Sequence, residues 1–235
     1  MSKYITSLIL VMLTTVSAYS QEDNTTENDS ITYQQKYGLR LGVDLSKVVM
    51  TLIDEDYTGF EINGDYRIKK NLYIAAEIGT EEKTTTTDYL NITAQGSYLK
   101  AGIDYNMYKN WFGMENMIYS GFRGGFSTFK QTLNSYTIYD TNNQTWGQTI
   151  NTDATEYDGL NAIWAELILG MKVEVLNNLY IGANVQLKGR ISETEPDNLE
   201  NLYIPGFGRT YDSGSFGIGF GYNISYLIPL YKKDK

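Results

Sequence analysis

The chain has 235 residues with 28 acidic and 19 basic side chains, a net charge of −9, which argues against nucleic acid as a partner because phosphate binding needs a basic surface. It contains no cysteine and no histidine. That excludes disulfides, thiolate metal centres, cysteine nucleophiles, a lipoprotein anchor and His-based triads, and it removes the commonest metal ligand. Tyrosine and glycine are abundant, at 21 and 22 residues, and there are 3 prolines.

Residues 1–20 read as a secretory signal peptide. Lys3 supplies the positive start, Tyr4 to Val16 is mostly apolar, and Ala18 and Ser20 are the small residues before a cut at Gln21. The stretch is too short for a comfortable transmembrane helix. Residues 21–36 are polar and acidic, the composition of a disordered periplasmic lead-in. Residues 37–235 are expected to form one β-barrel.

From there, period-two alternation dominates. The first strand, near Tyr37 to Leu45, puts Leu39, Leu41 and Val43 on one face and Gly38, Arg40, Gly42 and Asp44 on the other. The second sets Phe60, Ile62 and Tyr66 against Glu61, Asn63, Asp65 and Arg67. The third sets Leu72, Ile74 and Ile78 against Tyr73, Glu77 and Gly79. The fourth sets Leu99, Ile103 and Tyr105 against Tyr98, Lys100 and Asp104. The fifth sets Ile118, Phe122 and Phe126 against Tyr119, Gly121 and Arg123. The sixth sets Leu167, Leu169 and Val173 against Trp164, Glu166, Lys172 and Glu174. The seventh sets Ile181, Val185 and Leu187 against Gln186, Lys188 and Arg190. The eighth sets Phe216, Ile218, Phe220 and Tyr222 against Gly217, Gly219 and Gly221. A helix would repeat at 3.6 residues, and these segments do not.

The connections alternate in length. Links after strands two, four and six are short, near Lys69 to Asn71, Tyr108 to Asn116 and Leu176 to Asn178. Those after strands one, three, five and seven are longer, the longest at 130–159 and 192–213. Short turns at one end and long loops at the other predict an all-β fold, an eight-stranded antiparallel transmembrane β-barrel. No run approaches the 18 or so apolar residues of a spanning helix, so a membrane-spanning chain must be a closed barrel.

The charges indicate which face is inside. The polar face carries seven cations (Arg40, Arg67, Lys100, Arg123, Lys172, Lys188, Arg190) and seven anions (Asp44, Glu61, Asp65, Glu77, Asp104, Glu166, Glu174). A confined interior needs that balance, because an unpaired buried charge costs several kcal/mol. These fourteen residues are the candidate barrel-interior ion network. Interior glycines leave room for large side chains, since an eight-stranded barrel is only wide enough to be filled by its own residues. Tyr37, Tyr57, Tyr66, Tyr105, Tyr108, Trp111, Phe112, Tyr226 and Tyr231 are candidates for the interfacial aromatic girdles.

In the loops, Asp54-Glu55-Asp56 lacks EF-hand spacing and reads as an exposed acidic loop. Glu81-Glu82 and the threonines at 84–87 read as a solvated loop. Val48, Val49, Leu52 and Ile53 predict a turn or two of amphipathic helix on the rim.

The run Tyr57-Thr58-Gly59-Phe60-Glu61-Ile62-Asn63-Gly64-Asp65-Tyr66-Arg67, the preceding Gly42-Val43-Asp44-Leu45-Ser46 and the tail Tyr226-Leu227-Ile228-Pro229-Leu230 resemble a family of small Gram-negative outer-membrane barrels known only as a domain of unknown function. The resemblance runs from about Tyr37 to the end, and the architecture is similar to OmpA- and OmpX-type barrels. It implies the outer membrane as the location and assigns no catalytic residues. One departure is the ending Tyr231-Lys232-Lys233-Asp234-Lys235, where many such barrels end on an aromatic residue.

No enzyme activity, metal or cofactor is expected. The familiar barrel enzymes rely on histidine, and the paired carboxylates here lie among cations. The expected partners are outer-membrane lipid and an extracellular partner reached through loops 130–159 and 192–213, with the chain a monomer. The function read from the sequence is structural, or loop-mediated interaction at the cell surface. The alternatives are a narrow pore and a soluble periplasmic lipocalin-like binder whose apolar faces point inward.

Overall fold

The computed structural model describes residues 34–108, 115–138, 149–197, 199–211 and 214–234. The signal and most of the lead-in lie outside the described residues, as do Trp111 and Phe112. The elements are β1 (Gln34–Asp44), α1 (Leu45–Ile53), β2 (Tyr57–Lys69), β3 (Leu72–Thr86), β4 (Leu90–Asn106), β5 (Met117–Ile138), β6 (Thr149–Asn151), β7 (Thr155–Leu176), β8 (Leu179–Glu193), β9 (Tyr203–Ile204), β10 (Gly208–Arg209) and β11 (Phe216–Asp234). Strand β1 thus begins at Gln34, inside the expected lead-in.

The ring runs β1-β2-β3-β4-β5-β7-β8-β11 and closes where β11 pairs with β1, every pairing antiparallel. Eight strands therefore close on themselves. Short turns join them at one end: Lys69 pairs with Leu72 across Lys70-Asn71, and Leu176 with Leu179 across Asn177-Asn178. Asn178 takes φ 65°, a conformation that asparagine tolerates and tight hairpins require.

The two faces have opposite character. Outward positions such as Ile62, Ile78, Leu99, Phe122, Leu167, Val185 and Phe220 are exposed, whereas Arg40, Asp65, Lys100, Asp104, Arg123 and Glu166 are buried inside. This is the reverse of a water-soluble barrel. In water the exposed apolar wall would forgo about 25 cal/mol for each Å² left uncovered, and a lipid environment removes that cost. The alternation is thus that of a transmembrane barrel. Among the described residues no helix is long and apolar enough to cross a membrane.

The fold corrects several expectations. The long loop anticipated after the third strand is a tight turn, because β3 runs to Thr86 and β4 starts at Leu90. Residues 84–86 are therefore strand, not solvated loop. Much of 130–159 is strand too: Gln131 pairs with Tyr157, Leu133 with Thr155 and Tyr136 with Asn151. The upper parts of β3, β4, β5 and β7, with β6, rise above the apolar wall as a polar fin. Its strands are stitched by Thr84–Thr93 (2.8 Å), Asn134 to Asn91 and Thr93 (2.7 and 2.8 Å) and Asn151 to Tyr136 (3.1 Å). Hydrophobic alternation fades there because the outward face turns polar at Thr84 and Thr93, so the sequence pattern reads as loop, although Ile92, Ala94 and Gln131 are buried on the inner face.

Two of the tyrosines read as girdle residues are buried. Tyr37 stacks on Tyr231 with ring centroids 5.1 Å apart, and the Tyr57 side chain turns into the barrel mouth. Tyr105, Tyr108, Tyr226 and Tyr231 are exposed on the outside.

Candidate functional site

The barrel interior is layered, and strand alternation delivers each charge to its layer. Near the short turns, Arg67 pairs with Glu115 (2.8 Å) and lies over the rings of Tyr37 and Tyr73, while Lys36 pairs with Glu174 (3.2 Å). In the middle, Arg40 and Lys172 converge on Asp65 at 2.8 and 2.6 Å. On the facing wall Arg123 meets Asp104 at 2.7 Å, and Lys100 bridges Glu77 (2.6 Å) and Glu61 (3.1 Å). Higher up, Lys188 lies 3.7 Å from Glu166, whose other contact is the Trp164 indole N–H at 2.7 Å. Arg190 pairs with Glu193 at the upper rim (2.6 Å).

Of the fourteen sequence-selected residues, thirteen make an ion pair among the described residues. Asp44 is the exception: its carboxylate accepts the Ser46 amide at 2.7 Å and so caps α1. Five charged residues missed in the sequence also take part: Lys36, Lys47, Glu81, Glu115 and Glu193.

The most consequential of these is Glu81, read from sequence as solvated loop and found almost fully buried. The period-two series Glu77, Gly79, Glu81 was the available signal. Its carboxylate accepts hydrogen bonds from the Tyr57 hydroxyl (3.0 Å), the Tyr203 hydroxyl (2.8 Å) and the Gly206 amide (2.8 Å), and it pairs with the Lys47 ammonium of α1. Thr80 and Glu82, the outward neighbours, are polar and exposed, which sets this cluster above the apolar wall. Burial pushes Glu81 up, but Lys47, the Gly206 amide and the Tyr203 hydroxyl outweigh it and hold it down at about 2. Burial likewise pulls Lys47 down, and Glu81 more than offsets it, leaving the amine raised.

Glu81 thus fastens the 192–213 segment in the mouth. That segment folds inward at Ile204, Pro205, Gly206 and Phe207, all buried. Ile204 and Phe207 pack on Tyr98, Phe129, Leu160 and Trp164. Gly125 faces Trp164 across β5 and β7, and a Cβ there would collide with the indole. Lys188 donates to the carbonyls of Gly206 (2.7 Å) and Phe207 (3.1 Å), closing the plug from below.

Beside the plug and under α1 lies a cavity of about 210 Å³, lined by Asp44, Lys47, Tyr57, Glu61, Lys83 and Lys188 among others. The acidic loop residue Asp54 pairs with Lys83 at 2.8 Å on its rim. Among the described residues no cluster of three or more acidic side chains is arranged to hold a metal ion.

The sequence profile of a domain of unknown function, DUF6048, matches residues 1–233. The chain belongs to this family. No curated protein matches it. Among solved structures, the DUF6048 chain is similar to Ail, the attachment invasion locus protein of Yersinia pestis (7% identity, 82% of this chain and 97% of that one, TM-score 0.40). It is also similar to CarO2 of Acinetobacter baumannii (8% identity, 83% and 99%, TM-score 0.43).

Proposed function

We propose that this DUF6048 protein is a closed barrel of the Gram-negative outer membrane that serves as a scaffold and presents its polar fin to the outside. The observation that carries the reading is the pairing of an apolar outer wall with an interior filled by ion-paired side chains. Such a wall needs lipid, and such an interior leaves no wide aqueous path. Long connections of outer-membrane barrels face the outside, so the fin and the plugged mouth face out and the short turns face the periplasm. Residues 130–159 then supply most of the partner surface. The 192–213 segment offers only its exposed rim, including Glu195, Asp197, Glu200 and Arg209, because its centre is committed to the mouth. The ion network keeps the barrel filled and rigid, and the protein acts without catalysis.

The absence of native cysteine makes the test direct. A single Asp153→Cys variant, expressed in intact cells, is treated with a membrane-impermeant maleimide. Labelling on whole cells supports surface display of the fin, and labelling only after lysis contradicts it. Planar-bilayer recording of the purified barrel distinguishes the narrow pore, which would give reproducible conductance steps.

A further inference from the structure

The barrel wall is incomplete above the end of β1. The β1–β11 register stops at Asp44 opposite Asn223, and the β1–β2 register stops at Val43 opposite Ile62. Strand β11 continues upward from Tyr222 to Phe216 with only β8 beside it, and β2 continues from Glu61 to Tyr57 with only β3 beside it. A gap one strand wide therefore separates β2 from β11, and α1 occupies it.

The two sides of that gap are finished differently. On the β2 side, Thr51 of α1 accepts the Gly59 amide (2.9 Å) and its hydroxyl lies 3.2 Å from the Gly59 carbonyl, substituting for a strand partner. On the β11 side, the Arg190 amide donates to the Ser215 carbonyl. By alternation the odd-numbered residues of this stretch therefore address β8, and the peptide groups of Phe216, Ile218 and Phe220 address the gap. No strand or side chain among the described residues pairs with them. Ile218 is 84% exposed, against 49% for Leu187, its partner on β8.

This open edge runs along the top of the apolar wall, between outward Phe60 and Ile62 on one side and Ile218 and Phe220 on the other. Unsatisfied backbone in hydrocarbon costs several kcal/mol per group and is tolerated only where it lines a polar cavity. The 210 Å³ cavity lies there, and both Ile218 and Phe220 line it. Gly219 keeps its wall thin, since a Cβ there would lie 2.8 Å from Gln186 Oε1 and 3.1 Å from Lys188 Nζ. Within the cavity Asp44 is buried (4% exposed) and has no cationic partner among the described residues, while Lys47, Lys83, Lys100 and Lys188, each also paired with a carboxylate, share the lining with Asp54 and Glu61.

We propose that the gap between α1 and β11 is a lateral portal through which the cavity receives the polar head of a membrane phospholipid bearing both a primary ammonium and a phosphate. The ammonium pairs with Asp44, the phosphate lies toward the lysines, and the acyl chains remain outside against Ile218 and Phe220. The cavity is smaller than the 300 Å³ or so at which pockets enclose whole drug-sized ligands, so it suits a head group and leaves the chains in the bilayer. A head group rich in donors and acceptors also satisfies the open edge of β11.

The proposal rests on the lipid-facing reading, and a gel-shift check keeps the two separable. The full chain is purified in detergent, its folded state confirmed by heat-dependent migration, and titrated calorimetrically with short-chain phosphatidylethanolamine or phosphatidylglycerol below their micelle concentrations. The expected result is a phosphatidylethanolamine preference of about tenfold or more, the scale of one charged hydrogen bond. Asp44→Asn retains the cap on α1 and should abolish that preference. Gly219→Phe should fill the cavity and weaken both lipids. Equal binding of the two lipids, binding of neither, or an unchanged preference in Asp44→Asn by the heat-shifting barrel overturns the portal while leaving the membrane barrel standing. Should Gly219→Phe fail the gel-shift check, the wild-type preference and Asp44→Asn still decide.

Discussion

Arg40 and Asp65 meet side-on at the centre of the barrel. Nη2 donates to Oδ1 at 2.8 Å, and Nε lies 3.1 and 3.0 Å from the two carboxylate oxygens. The two residues are partners in the β1–β2 register, so the pair is local in the sheet. Lys172, from the far wall, reaches the same carboxylate at 2.6 Å. One anion therefore ties two sides of the barrel together, and the Arg40 guanidinium lies over the rings of Tyr180 and Tyr73 at 4.7 and 5.6 Å.

Removing that anion leaves two cations buried without compensation. Asp65→Asn is predicted to destabilise the barrel by about 3–5 kcal/mol, read from urea unfolding in lipid vesicles. Replacing Arg40, Asp65 and Lys172 together by apolar residues of similar volume should cost far less, because the desolvation penalty disappears with the charges. A single variant as stable as wild type would mean that Asp65 does not hold the two walls.

The outer wall has the opposite tolerance. Leu167 is exposed and pairs with Leu187 and Phe122 on neighbouring strands. Leu167→Arg is predicted to cost about 2–4 kcal/mol if this position lies in the bilayer. Near-neutral behaviour in the same unfolding assay would place that face in water.

The plug should loosen in acid. Glu81 is held at about 2 in the folded state, below the ordinary carboxylate value of about 4.3. A depressed folded pKa contributes stability that is complete above the ordinary value and is lost as pH falls through the folded one. Hydrogen exchange across residues 199–211 should therefore accelerate between about pH 4.5 and 2, while the strands below stay protected. Glu81→Gln should flatten that profile. An acid response unchanged by Glu81→Gln would mean that another group controls the plug.

Packing holds the same segment from the other side. Phe207 meets Trp164 edge-on with centroids 6.1 Å apart and is buried with Ile204. Phe207→Ala removes a large buried ring, a change worth about 3–5 kcal/mol in a core. The expected signature is local: faster proteolysis within 199–211 and a red-shifted Trp164 emission, with the heat-resistant barrel intact. Loss of the whole barrel would show that plug and wall fold as one unit.

Much of this was legible in the sequence because lipid imposes strict alternation. Arg40, Asp65, Lys100, Arg123 and Glu166 each sit at the polar beat of a strand, and strand order follows from turns as plain as Lys70-Asn71 and Asn177-Asn178. The signal weakened where lipid stops. Above the apolar wall the outward face turns polar, so the fin around Thr84, Thr93 and Asn134 reads as loop although it is strand. Glu81 stands at that boundary: its period is correct, but its neighbours Thr80 and Glu82 are polar. The plug was invisible because Ile204, Pro205 and Phe207 are held by partners from β3, β4, β5 and β7, far away in sequence. The register that stops at Asp44 depends on strand lengths, which composition does not encode.

The most direct test of the central claim, a closed barrel with lipid outside and charge inside, is migration of the envelope fraction on a detergent gel with and without boiling. A closed membrane barrel is predicted to stay folded in cold detergent, to run away from its unfolded position until boiled, and to fractionate with the outer membrane. Identical migration under both conditions, with the protein recovered in the soluble periplasmic fraction, would contradict the account and turn the barrel inside out.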